Sequence, residues 1–147
     1  IIQDMPAYKT SQTELQGMQD KFKKYLEDMQ KELQTKYEKF QQEVNDKTPE
    51  NIRTRRQQEL TELSQKLDQA RADDEKALQE ASSQKMQPII AKVMDAINAV
   101  AKEGNYVYIM DSNAAQSAGI FINPALSENV TAKIRTKLGL SASSAKK

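Results

Sequence analysis

Three sets of side chains in this sequence have types that could react with or bind another molecule. The first is the carboxylate run Asp73-Asp74-Glu75, which could hold a metal ion or exchange protons. Consecutive helix residues point in different directions, so this run predicts a solvated helix face instead. The chain contains no histidine, no cysteine and no glycine-rich phosphate loop, so the usual groups of nucleophilic and thiolate chemistry are missing. We expect no enzyme activity, no metal and no cofactor.

The second set is a stripe of methionine and aromatic residues on one predicted helix. Its members are Met18, Phe22, Tyr25, Met29, Tyr37 and Phe40. Such side chains suit contact with many different apolar partners, because they adapt their shape or present broad apolar surface. The plainer interpretation is that they pack against a second helix, and the sequence leaves both interpretations open.

The third set is a basic cluster near a predicted helix-to-helix turn. Its members are Lys47, Arg53, Arg55 and Arg56. They could contact lipid or an acidic partner. Nearby Asp46, Glu50 and Glu59 would offset this charge and favour a solvated tip.

All three sets lie on one predicted helical hairpin. Apolar residues recur every three or four positions, the period of an amphipathic helix, and no glycine occurs between Gly17 and Gly104. The strong breaker is 45–51, where Thr48 can cap a helix and Pro49 suits its first position. We predict an antiparallel arm over 11–88, with its tip at 45–51 and a length of roughly 60 to 80 Å.

Pro88 lies inside the second helix of this hairpin. It removes one backbone hydrogen bond and clashes with the carbonyl four residues earlier, so the sequence predicts a kink or hinge there. Beyond Pro88 the apolar residues become denser. Pro88 therefore marks the predicted border between an exposed arm and a buried base.

After Gly104, which suits the position just past a helix end, the apolar period changes. Residues 106–110 and 118–122 are predicted strands, separated by turn residues 111–113. Ser127 is predicted to cap a short helix that stops at Gly139, and 141–147 to be a disordered tail.

Two strands are too few for a stable isolated sheet, so we predict a homo-oligomer. The fold class is mainly α with a small β part, in which the hairpin projects from a β body built by several chains. Residues 1–10 and 89–140 form this predicted oligomerisation body. Its candidate contact residues are Tyr106, Tyr108, Ile109, Met110, Ile120 and Ile122.

Composition limits the remaining functions. The net charge is +1 and the mean hydropathy is −0.80, so the chain has neither a strong field for nucleic acid nor enough apolar residues for a large single core. It contains no stretch of 18 apolar residues that would predict a membrane span.

Three segments carry a resemblance to a known family. They are 106–114 (YVYIMDSNA), 126–130 (LSENV) and 1–8 (IIQDMPAY). Together they resemble the Skp/OmpH family of periplasmic chaperones of Gram-negative bacteria, and the first eight residues are most similar to Bacteroidetes-type members.

The resemblance implies a homotrimer in which three helical hairpins surround a cavity below a β body. It implies that unfolded outer-membrane proteins are held there without ATP, in the periplasm, with the methionine and aromatic stripe as candidate client-binding residues.

The chain departs from the family pattern at two points. Family members have a strand before the first helix, whereas Ile1 already lies at the predicted helix entry, so we expect that this strand either was trimmed or is missing from the body. The charge of +1 is low for a family with strongly basic members. We therefore expect transient lipid contact at most and no nucleic acid. The alternative function is a coiled-coil adaptor or spacer with a folded partner. A prefoldin-like arrangement fits less well, because its β structure lies between the helices.

Overall fold

The computed structural model describes residues 1–142. A 3-10 turn, Ile2–Asp4, precedes helix α1, Pro6–Glu43, and helix α2, Glu50–Gly104. Two short helices follow: α3, Ser112–Ser117, and α4, Thr131–Lys137. Two long helices joined by a short loop are consistent with the predicted hairpin.

The chain divides into two units. Unit 1 comprises Ile1–Gln12 and the chain from Gln84 onward, and unit 2 is Thr13–Ser83. Both α1 and α2 contribute to each unit. The role of 1–10 and 89–140 as an oligomerisation body stays a prediction.

In unit 2 the loop between α1 and α2 is closed by side chains. The Asn45 carboxamide oxygen accepts the Lys47 N–H at 2.9 Å, and the Thr48 hydroxyl accepts the Asn45 N–H at 3.0 Å. The prediction that Thr48 caps the second helix is wrong, because its hydroxyl bonds groups of the loop and the end of α1 and none of the α2 N–H groups. The N–H groups of Ile52 and Arg53 bond the Pro49 carbonyl.

Unit 1 contains two small apolar clusters. One consists of Ala96, Val100, Val130 and Ile134, so the end of α2 packs on α4. The other consists of Met5, Ile89 and Val93, so the residue just before α1 packs on α2. Among the described residues of unit 2, one apolar side chain is buried, that of Leu67, at 5% exposure. Helix α2 continues through Pro88, and the predicted hinge stays a prediction.

The predicted strands do not form among residues 1–142. Residues 106–110 are irregular, and the predicted turn at 111–113 instead starts α3, where the Asp111 carboxylate accepts the N–H groups of Asn113 and Ala114. The physical reason is that a strand needs a neighbouring strand for its backbone groups, and a lone chain offers too few. The β body is therefore not present among the described residues of the single chain.

The helix ends are set by local chemistry. Helix α4 starts at Thr131, not near Ser127 as predicted, because the Asn129 side chain accepts the Thr131 N–H. It stops before Gly139 as predicted; this glycine has φ +70°, and the next N–H bonds the Arg135 carbonyl. Of the predicted disordered tail, residues 143–147 lie outside the described residues.

Helix α2 ends one residue later than the glycine rule predicts. Gly104 is its last residue, and Asn105 adopts the left-handed conformation at φ 53°. Gly104 serves a different purpose, since the ring of Tyr106 lies where a Cβ on Gly104 would project. A glycine is therefore required there for close approach of Tyr106.

Candidate assembly and client-binding surfaces

The most exposed apolar side chains lie in residues 107–127, which we call the assembly segment. Val107, Tyr108, Phe121 and Leu126 are 80% or more exposed. Met110 and Ile120 are about half exposed. Large apolar patches on a single chain mark surfaces that another molecule covers.

Other residues in or beside this segment face the core of unit 1. Ala115 is buried, while Tyr106 and Ile109 pack against the Ala96 and Val100 cluster. Of the predicted body residues, Tyr108, Met110 and Ile120 are thus exposed, whereas Ile109 is half-buried within its own chain. Ile122 is also half-buried. The segment thus packs on its own chain through some residues and exposes the apolar side chains of others.

The backbone at the start of the segment is also unpaired. Residues 107–110 make no backbone hydrogen bond to any other described residue. Unpaired backbone beside exposed apolar side chains is a template for pairing with another chain. This arrangement explains why strand-type sequence occurs here without strands.

A group of polar side chains, which we call the clasp, joins the two ends of the segment. The Tyr106 hydroxyl donates to the Glu128 carboxylate, and the Lys133 ammonium donates to the Tyr106 hydroxyl at 3.0 Å. Lys133 also pairs with Glu128 at 2.6 Å and lies 5.6 Å from the centre of the Tyr106 ring. The hydrogen bond from Lys133, and to a smaller extent the one from Tyr106, lowers the pKa of Glu128. The hydrogen bond to Glu128 raises the pKa of Lys133.

A second polar contact ties the start of the chain to α4. Arg135 is 4% exposed, and its guanidinium contacts the Asp4 carboxylate at 2.5 Å and the Ser141 carbonyl at 2.6 Å. The hydrogen bond from Arg135 lowers the pKa of Asp4. Because a buried guanidinium needs partners, Arg135 joins Asp4 and Ser141 to α4.

A pocket of about 360 Å³ lies between the end of α2 and α4, lined by Val100, Gly104 and Thr136 and by paired charged side chains. Its lysines already have acidic partners, since Lys137 contacts Glu103 at 2.5 Å and Lys133 contacts Glu128. The pocket therefore offers no uncompensated charge to a small ligand.

The methionine and aromatic stripe is divided by the structure. Met18, Phe22, Met29 and Phe40 are half-buried in unit 2. Near the tip, Phe40 and Leu60 line one groove between the two helices. Tyr25 and Tyr37 are 58% and 47% exposed, so about half of the surface of each remains open to solvent.

The basic residues at the tip are divided in the same way. Arg53 donates to the carbonyls of Asn45 and Thr48 at 3.4 and 3.3 Å, and Arg56 pairs with Glu43 at 3.0 Å. These two arginines hold the loop together. Lys47 and Arg55 are exposed.

The carboxylate run does not converge on one point. Asp73 accepts a hydrogen bond from Gln69 at 2.9 Å, and Glu75 is exposed. One oxygen of Asp74 is buried without a hydrogen-bond partner. Among the described residues, no group of three acidic side chains is close enough to hold a metal ion, and no helix of residues 1–142 has the length and apolarity of a membrane span.

Sequence reasoning missed several residues of these surfaces. Phe121 and Leu126 were not among the predicted contact residues. Phe121 belongs to the apolar run 120–122, which was a usable signal, whereas Leu126 lies between Ala125 and Ser127 and has no such signal. Arg135 lies among the apolar residues of α4, which was a usable signal for a buried charge. The pairing of Tyr106 with Glu128 joins residues 22 positions apart and has no sequence signal.

Comparisons with known proteins point to one family. A model of the family described as Outer membrane protein (OmpH-like) matches residues 1–138. No curated protein and no solved structure matches the chain. The family match covers nearly the whole sequence and supports a role of the periplasmic outer-membrane-protein chaperone kind. The chain therefore belongs to the Skp/OmpH family.

Proposed function

We propose that this protein is an ATP-independent holdase chaperone of the periplasm, which binds unfolded outer-membrane proteins and prevents their aggregation. It works as a homotrimer whose assembly segments complete one another and whose helical arms enclose the client. Membership in the Skp/OmpH family supports this proposal. The observation that carries the assembly is the exposed apolar surface of residues 107–127.

A second copy of this chain is the partner that fits the assembly segment. The segment combines unpaired backbone at 107–110 with the exposed side chains of Val107, Tyr108 and Phe121. An equivalent segment supplies the same two features, so backbone pairing and apolar burial occur together. A closed ring of copies then removes the free edges that would otherwise cause aggregation.

Client binding rests on weak apolar contacts distributed along the arms. Tyr25 and Tyr37 present aromatic surface on α1, and Ile52 is 43% exposed near the tip. With a net charge of +1, the chain supplies little long-range attraction. Many shallow contacts hold a client while leaving it mobile, so release needs no nucleotide.

The test is suppression of aggregation. A denatured outer-membrane β-barrel protein is diluted out of urea with near-stoichiometric amounts of this protein, and light scattering is followed. A holdase lowers the scattering, and a matched amount of an unrelated two-helix coiled coil does not. Scattering unchanged by this protein would leave the adaptor or spacer role, which needs a folded partner and no client binding.

A further inference from the structure

The clasp occupies a special place in the sequence. Tyr106 comes immediately before the assembly segment and Glu128 immediately after it, while Lys133 on α4 contacts both. The contact therefore brings together the two ends of a stretch of more than twenty residues. Between the ends, Ile109 packs against the Ala96 and Val100 cluster of unit 1, and Ala115 is buried.

The position of Tyr106 is fixed from several sides. Its N–H bonds the Ala101 carbonyl at 3.0 Å, beyond the left-handed Asn105. Its ring lies against Gly104, where any larger residue would displace it. The hydroxyl is thus presented to Glu128 and Lys133 by a rigid helix end.

The contribution of the clasp to the stability of the lone chain should be small. Glu128 and Lys133 are each about half exposed, and exposed ion pairs contribute little because solvent screens them. The clasp adds little stability to the lone chain, yet it joins both ends of an exposed apolar segment. Its effect on the conformation of that segment therefore explains it better than its effect on stability.

We propose that Tyr106, Glu128 and Lys133 are positioning residues for assembly: they fasten the ends of the assembly segment and present its exposed apolar side chains to a second copy of this chain. This inference rests on the proposed trimer. With its ends joined, the segment has lost part of its conformational entropy before association. Without the clasp, this entropy is lost during association and opposes assembly.

The test compares Tyr106→Phe with the wild-type chain by sedimentation velocity over a range of concentrations. The variant keeps the ring against Gly104 and removes only the hydroxyl. One hydrogen bond changes an equilibrium constant by about two- to tenfold. If all three chains lose this ordering, the midpoint concentration of trimer dissociation rises by roughly three- to thirtyfold, while helicity by circular dichroism is unchanged.

Three further variants make the result specific. Glu128→Gln, at an exposed position, should weaken assembly similarly, and the double variant should weaken it by less than the product of the two single effects, because both remove one contact. Tyr25→Phe is the matched control, since it deletes the same atom from a tyrosine in unit 2 and should leave the midpoint unchanged.

The outcomes separate the clasp from the proposed function. A wild-type trimer with equal midpoints for Tyr106→Phe and Glu128→Gln would overturn the clasp and leave the chaperone proposal standing. Loss of helicity in both variants would also overturn it, because the residues would then serve the fold of the lone chain. A wild-type chain that stays monomeric at tens of micromolar would overturn the trimer, and the clasp with it.

Discussion

Replacing Phe121 by aspartate is the sharpest test of the assembly surface. The side chain is 85% exposed in the single chain, so the substitution removes few contacts there and should change its stability by no more than about 0.5 kcal/mol. In the proposed trimer the same side chain is covered. We expect Phe121→Asp to dissociate the trimer while leaving each chain helical.

The magnitude follows from the buried area. Covering one phenylalanine contributes about 1.5 to 3 kcal/mol, and three copies lose it together, so the trimer loses on the order of 6 kcal/mol. At 1.4 kcal/mol per tenfold change, this lowers the association constant by roughly ten-thousandfold. For a monomer–trimer equilibrium, the midpoint concentration of dissociation rises by about a hundredfold.

Phe121 is a better choice than Ile109, which the sequence also suggested. Ile109 packs against the Ala96 and Val100 cluster of its own chain, so a charge there would disturb unit 1 and dissociate the trimer indirectly. The matched control is Ile52→Asp, which places the same charge on an exposed apolar position of unit 2.

Sedimentation equilibrium gives the mass, and circular dichroism at 222 nm checks helicity. The reasoning is refuted if Phe121→Asp remains trimeric over the concentration range in which the wild type is trimeric. It is also refuted if Ile52→Asp dissociates the trimer equally, because the effect would then come from added charge alone.

Three further predictions concern unit 1, the client and local opening. Asp4→Asn should lower the thermal midpoint at neutral pH. Since the hydrogen bond from Arg135 depresses the folded pKa of Asp4 below the ordinary 3.8, this loss should be constant above that value and shrink as the pH falls through the lowered pKa. A loss that does not shrink on acidification contradicts the ion pair. Replacing Tyr25 and Tyr37 together by serine should raise severalfold the concentration of this protein needed to suppress client aggregation. That concentration should change little between about 50 and 300 mM salt. Light scattering measures the aggregation, and the control is the double variant Gln16→Ser, Gln19→Ser. Hydrogen exchange should show slow amides at 89–100, faster amides at 36–84, and amides at 107–110 that become slow only in the trimer; uniform protection along both arms favours a rigid spacer.

The sequence predicted features that depend on neighbouring residues. The long helices follow from the apolar period of three and four, the loop at 44–49 from Asn45 and Pro49, and the end of α4 from Gly139. Helix formation, turns and glycine caps act over a few residues, so they can be inferred without tertiary contacts. The family resemblance was also predicted and confirmed.

Strand formation could not be decided in this way. The runs at 106–110 and 118–122 have strand composition, yet strands need partners that are distant in sequence or in another chain. In the single chain the Asp111 carboxylate starts a helix instead. The same residues therefore carry a local preference that only assembly could satisfy.

The candidate site shows the same boundary between local and distant effects. Periodicity placed Met18, Phe22, Tyr25 and Tyr37 on one helix, but only packing in unit 2 decided that the first two are half-buried and both tyrosines exposed. A helix period fixes the direction of a side chain and not the presence of a neighbour.

The polar contacts of unit 1 belong wholly to tertiary structure. Arg135 meets Asp4 across 131 positions of sequence, and Tyr106 meets Glu128 across 22. Composition showed that these residues exist, and local rules predicted solvated charges for most of them. The fold alone decided which of these charged residues are paired. An ion pair or a buried guanidinium needs a partner from a distant chain segment, and the period of a helix does not predict which distant segments meet.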